Sequence, residues 1–196
     1  MASLTIVVLT IAISRIVYRY RWKLRFMYYI ARENYKINVH RPDALSNDPY
    51  HFDAFVSYAD EDRTFVISLV KHLEKEFNLR LCIHHRDFIP GTGIAENITN
   101  AIHNSRKTFC IITSHFLDSY WCMFELNMAR MDAIYSRNGE NVLFLVALEE
   151  DTMKKLSFSF MDLIESKSYI EFPEGGDDEE VTAFRSKLAD TLRQSV

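Results

Sequence analysis

From Phe52 onward the apolar residues alternate between two periods, and this alternation restricts the fold more than any other feature of the 196-residue chain. Short runs rich in β-branched and aromatic side chains read as strands: Phe52–Ser57, Leu79–Ile83, Thr108–Thr113, Asn141–Leu148 and Ser168–Phe172. Helical spacing separates them. Phe65, Val66, Leu69, Val70 and Leu73 share one helical face, and Asp60, Glu61 and Asp62 sit where a helix N-terminus favours negative charge. Ile94, Ile98 and Ile102 recur at four-residue spacing after Thr92-Gly93, and Trp121–Tyr135 makes a third helix capped at Asp118 or Ser119. Val181, Phe184, Leu188 and Leu192 line a last helix, while Thr152–Ile164 has no regular pattern. Strands alternating with helices predict an α/β fold: a five-stranded parallel sheet flanked by helices on both faces. Binding in such a sheet occurs beyond the carboxyl ends of the strands, at a topological switch point. The loops after the first, second and third strands therefore form the expected working face.

The common chemistries of α/β folds are missing from the sequence. No G-x-G-x-x-G or Walker pattern is present, and Pro90-Gly91-Thr92-Gly93 lacks the spacing and the Lys needed to cradle phosphate. A phospho-acceptor pocket needs an Asp ending the third strand, where Ser114 stands, and there is no G-x-S-x-G elbow. Strand alternation would put Cys82 and His84 on one face and His85 on the other, so no metal site and no cofactor is expected there. Cys82, Cys110 and Cys122 are odd in number and lack a disulfide framework, which fits reduced thiols.

Charge divides the chain in two. Residues 1–36 hold seven basic side chains against the single acid Glu33, whereas the remainder is acidic enough to bring the whole to −4. An acidic body argues against nucleic acid as a partner. Met1 to Ser14 has no charged side chain, and as helix it reaches about 21 Å, short of a hydrocarbon core of roughly 30 Å. Snorkelling by Arg15 would let Ile16, Val17 and Tyr18 extend it. Arg19, Arg21, Lys23 and Arg25 follow, interleaved with Tyr20, Trp22, Tyr28 and Tyr29, a composition suited to the cytoplasmic headgroup region. A cleaved signal peptide would need a basic n-region and a small-residue cleavage site, and a buried helix would have to bury many arginines. The expectation is therefore a membrane-associated helix, with a transmembrane/juxtamembrane segment over 1–36, lipid contact by residues 1–30, a linker over 37–49 and the folded domain over 50–196.

The segment Arg86-Asp87-Phe88-Ile89-Pro90-Gly91 puts two large apolar residues into a stretch otherwise built for a turn. Pro90 fixes φ and Gly91 permits chain reversal. Phe88 and Ile89 either fold back on the core or form an apolar interface tip.

Here the sequence resembles a known family. Phe52-Asp53-Ala54-Phe55-Val56-Ser57-Tyr58 is similar to the first box of TIR (Toll/interleukin-1 receptor) domains, and Arg86–Gly91 to the second box with its BB loop. Ser119-Tyr120-Trp121-Cys122-Met123-Phe124-Glu125-Leu126 resembles the W-C-x-x-E-L helix start, and Tyr169-Ile170-Glu171-Phe172-Pro173 the third box, with Phe172 where many members have Trp. The segment before them resembles the transmembrane-to-TIR junction of Toll-like receptors. The resemblance implies a flavodoxin-like TIR fold in the cytoplasm beneath a single-pass membrane segment, homotypic TIR self-association, and recruitment of TIR-containing adaptors such as the myeloid differentiation primary response adaptor. Arg86, Asp87, Phe88, Ile89, Pro90 and Gly91 become the adaptor-facing loop, Asp53 and Ser57 structural residues, and Trp121 and Cys122 core. It also raises an enzymatic alternative, because some TIR domains cleave the nicotinamide–ribose bond of NAD with a Glu at the position of Glu125.

Overall fold

The computed structural model describes residues 2–39, 50–137, 140–149, 152, 169–173 and 175–193, with first-helix side chains described over 5–29 and at 31. The chain divides into two units, 1–43 and 44–196. The first contains helix α1, Ala2–Val39, which runs three residues past the expected boundary at 36. Its apolar residues from Ile6 to Val17 are exposed. Arg21 lies over the rings of Tyr18 and Trp22 at 4.3 and 5.3 Å, a cation–π arrangement typical of a guanidinium beside aromatic faces. Among the described residues no helix is long and apolar enough to cross a membrane. Residues 40–49, which include most of the expected linker, lie outside the described residues, as does the irregular stretch beyond Thr152.

In the second unit the strands are β1 (Phe52–Ser57), β2 (Leu81–Ile83), β3 (Ser105–Ile112), β4 (Leu143–Ala147) and β5 (Tyr169–Glu171). They form one sheet in the order β2-β1-β3-β4-β5, with every neighbouring pair parallel. The helices are α2 (Arg63–Phe77), α3 (His84–Asp87), α4 (Ile94–His103), α5 (Ser114–Asp118), α6 (Tyr120–Tyr135) and α7 (Asp178–Arg193). The five expected strands are all present; β1 has its expected bounds and the other four have shifted ends. β3 starts three residues early, and β2 is reduced to Leu81–Ile83 because His84 already begins a helical turn.

Alternation along the strands divides the core between two layers. Ala54 and Val56 of β1, with Phe109, Ile111 and Val146, pack under the α2 face of Val66, Leu69, Val70 and Leu73 and under Phe184 and Leu188 of α7. The opposite sheet face is covered by α4 and α6, which pack on each other and on β3 and β4. Parallel strands buried on both faces explain the apolar runs Phe109–Ile112 of β3 and Leu143–Ala147 of β4. Local chemistry sets the ends. Asp60–Asp62 form a 3-10 turn ahead of α2, and α2 stops at Asn78, held left-handed at φ 52°, a conformation Asn tolerates. Ser119 caps α6 by accepting the Cys122 N–H, as expected from its sequence position. Asp53 is structural as expected: its carboxylate accepts the Arg80 N–H at 2.7 Å and fixes the entry to β2.

A buried cation closes the lower end of the α4–α6 layer. Arg137 donates Nε–H to Asp132 at 2.7 Å, and its remaining nitrogens donate to the carbonyls of Ile102, Ser105 and Arg106 at 2.6 to 3.1 Å. Removing such a guanidinium strands both a buried carboxylate and three carbonyls. Arg137→Ala should lower unfolding free energy by ~3–5 kcal/mol in urea titration; a loss under ~1 kcal/mol would mean that this network carries little.

Candidate interaction site at the switch-point crevice

β1 sends its chain towards β2 on one side, while β3 sends its chain towards β4 on the other, so a crevice opens above their carboxyl ends. The cleft there has a volume of about 420 Å³ and is bordered by Tyr58, Asp60, His84, Phe88, Trp121 and Glu125. Thr113, which follows β3 and caps α5, braces its rim by donating to the Asp62 carboxylate at 2.6 Å while accepting the Phe116 N–H at 3.1 Å.

Glu125 forms the floor. It sits on α6, only 5% exposed, and accepts a short hydrogen bond from the Ser57 hydroxyl at the end of β1. Burial pushes its pKa up to about 8, against the opposing influence of Ser57, so the carboxyl is protonated at neutral pH. Ser57 therefore does more than orient the strand end. Burial also pushes the thiols of Cys82 and Cys122 up to about 12 and that of Cys110 well above its ordinary value, so these unpaired cysteines stay protonated and unreactive. The Tyr58 hydroxyl is likewise raised to about 12 by burial and remains a neutral hydrogen-bonding group.

The loop after β2 contains both outcomes that its sequence left open. Phe88 folds back, stacking on the buried Phe55 with centroids 6.2 Å apart, whereas Ile89 is 61% exposed. Thr92 N–H donates to the Ile89 carbonyl at 3.3 Å across Pro90 and Gly91, and Gly91 has φ 84°, which identifies a type II turn. Asn97 of α4 pins that turn: its amide donates to the Ile89 carbonyl and its carbonyl accepts the Ile89 N–H, both at 3.1 Å. The charged start of the loop points back to the domain. Arg86 makes a two-pronged pair with Glu74 at 2.9 and 3.0 Å, contacts Asp87 at 3.0 Å and donates to the Leu81 carbonyl. Asp87 accepts the Ile83 N–H at 2.8 Å. Glu74 first and Asp87 second raise the pKa of the guanidinium above its ordinary value. The exposed residues of the segment are Arg86, whose head group is tied to Glu74 and Asp87, and the turn of Ile89, Pro90 and Gly91.

Two expectations need correcting. Cys122 is buried, but Trp121 is 39% exposed and forms an edge-to-face pair with exposed Tyr120 at 5.2 Å. A residue opening a helix at the mouth of a crevice lies beyond the sheet that would otherwise cover it. His84 and His85 also fail to point apart, because β2 ends at Ile83 and a helical turn sets the two rings 4.1 Å from one another. Burial lowers the His84 pKa, with the Asp60 hydrogen bond opposing it.

Fold and crevice together define a doubly wound, flavodoxin-like α/β domain with an exposed apolar turn beside a polar cleft. Residues 54–189 match the family model described as the TIR domain. The chain is 53% identical over 188 residues to Toll-like receptor 4 of Pinctada imbricata, covering 95% of this chain and 21% of that receptor. It is 38% identical over 151 residues to Toll-like receptor 13 of Mus musculus, covering 74% of this chain and 15% of the receptor. The chain thus spans about one fifth or less of the length of these relatives. The TIR domain of the Toll-related receptor TRR-2 from Hydra magnipapillata shares the fold, with a TM-score of 0.57 at 21% identity over 73% of this chain and 99% of that one. The chain belongs to the TIR domain family.

The buried carboxyl gives a pH test. The folded chain holds the Glu125 proton up to about pH 8, whereas an ordinary carboxyl loses it near 4.5, so its contribution to stability is full below 4.5 and falls as pH rises to about 8. Glu125→Gln should flatten the decline in denaturation midpoint across that window, gaining on the order of a few kcal/mol relative to the parent at pH 8.5. Parallel curves for parent and variant would show that Glu125 is ionised in the folded chain.

Proposed function

We propose that this chain is the cytoplasmic signalling part of a Toll-like innate immune receptor, acting by TIR–TIR self-association and by recruiting TIR-containing adaptors such as the myeloid differentiation primary response adaptor. The observation that carries this reading is the Ile89-Pro90-Gly91 turn. It is apolar, exposed and held by Asn97 and the Ile89–Thr92 hydrogen bond, so little freedom is lost on docking. Arg86, Asp87 and Phe88 support the turn from behind, and exposed Tyr120 and Trp121 add aromatic surface of the kind that anchors interfaces. Each contact can be weak, since clustering of receptors supplies the avidity.

Glu125 lines the cleft, which keeps the NAD glycohydrolase reading in view. That chemistry builds positive charge on the ribose and needs an ionised carboxylate to stabilise it. A carboxyl held protonated to about pH 8 and bonded to Ser57 is poorly suited to the task, so the scaffold reading is preferred.

The helix α1 is read as the membrane-proximal part of a single-pass receptor. Residues 1–30 meet lipid through the exposed apolar stretch from Ile6 to Val17, with Arg21 and Arg25 around Trp22 at the headgroups.

Pro90→His should reduce adaptor pull-down by at least ~tenfold while leaving the circular dichroism spectrum and melting temperature near those of the parent; undiminished binding by a folded variant would remove the loop from the interface. Concentrated, clustered parent chain should release no nicotinamide from NAD, and release abolished by Glu125→Gln would replace the scaffold reading with catalysis. Alkaline extraction should leave the chain in the membrane pellet; recovery in the supernatant would refute membrane integration through α1.

A further inference from the structure

The turn after β1 and the turn after β2 bring three metal-ligating side chains to one point. One ring nitrogen of His84, one of His85 and one carboxylate oxygen of Asp60 all lie within 4.8 Å of one another. We propose that Asp60, His84 and His85 form a binding site for a zinc-class divalent ion.

Geometry supports this first. Asp60 Oδ1 is 3.3 Å from His84 Nε2 and 3.2 Å from His85 Nε2. A tetrahedral ion with bonds of about 2.0–2.1 Å separates its ligand atoms by roughly 3.3–3.4 Å, so two of the three edges already have the required length. The third, between the two ring nitrogens, is within 4.8 Å. Two imidazoles and one carboxylate suit zinc and its neighbours, whereas magnesium and calcium require a shell of oxygens. Three protein ligands also leave a fourth position for water or a partner's side chain.

The rings are already held in place. Tyr58 stacks on His84 with centroids 4.4 Å apart, and its hydroxyl lies 2.9 Å from His85 Nδ1. An ion seated between Asp60 and the imidazoles would take the Nε2 lone pair of His85 and place the proton on Nδ1, where the Tyr58 oxygen at 2.9 Å can accept it, so that an outer hydrogen bond fixes the tautomer of the ligand. The imidazole side chains are only 22% and 21% exposed, while Asp60 remains open to solvent at 75%. Glu61 borders the same cleft and adds negative charge, with the Arg63 guanidinium opposing it.

An ion here would tie the turn following β1 to the residues immediately before Arg86–Gly91. It would therefore stiffen the base of the loop, although the site itself stands on its own geometry and not on the adaptor reading. The ion is taken up from solution by neutral imidazoles, each keeping one N–H, and a second proton is released to solvent from any ring that carries one; no redox step is involved.

The test uses the untagged full chain, stripped of metal and titrated with zinc in a non-coordinating buffer by calorimetry, with cobalt absorption as a second readout. The expected result is one equivalent bound, a tetrahedral cobalt spectrum, and no saturable binding of magnesium. His85→Gln and Asp60→Asn should each weaken zinc binding by ~tenfold or more, and Tyr58→Phe, which keeps the stacked ring, by ~tenfold through the lost outer hydrogen bond. Cys82→Ser should leave binding unchanged. Absence of saturable binding, zinc affinity unaltered in His85→Gln and Asp60→Asn, or affinity lost in Cys82→Ser would each overturn the proposal.

Discussion

The parallel pairing of β1 with β3 is the constraint from which the rest of the structure follows. Ala54 pairs with Lys107, Val56 with Phe109 and Ser57 with Cys110, so two buried strands run side by side while their connections depart in opposite directions. Right-handed crossovers then put α2 on one face and α6 on the other, and a crevice opens where they diverge. Ser57 and Glu125 meet at the floor of that crevice, joining the end of β1 to α6. A protonated carboxyl satisfied by a hydroxyl fills this junction without leaving a charge in the core, which a buried ion would make costly.

Around this frame the loop after β2 separates support from display. Its charged residues bond to Glu74, Leu81 and Ile83, its aromatic residue stacks on Phe55, and its apolar turn faces outward. The arrangement suits recognition, because a turn fixed by proline, glycine and an asparagine clamp loses little entropy on binding.

Much of the fold was legible because buried parallel strands and amphipathic helices leave different periods in a sequence. The α2 stripe of Val66, Leu69, Val70 and Leu73 and the cap at Ser119 appear where those patterns put them. The site was harder to read. Periodicity assumes that an element continues, so ending β2 at Ile83 turned His84 and His85 from opposite faces into neighbours. Nothing in local spacing reports that Asp60, more than twenty residues away, meets both rings, or that Arg137 reaches back to the carbonyls at the start of β3. Trp121 has a core-like identity but sits at the rim, where the sheet ends and burial stops. Asn97 left only a faint signal, one of several polar residues on a short helix that follows a Pro-Gly pair.

Docking of other TIR domains on the preformed turn, and not on the cleft floor, is what the proposed function requires. Hydrogen exchange of the full chain with and without a saturating adaptor TIR domain distinguishes the two surfaces. New protection is expected to be confined to Ile89–Ile94 and the Tyr120–Trp121 rim, with the amides of Ser57 and Glu125 unchanged. Protection elsewhere on the domain, with the turn exchanging as freely as before, would refute docking through the turn.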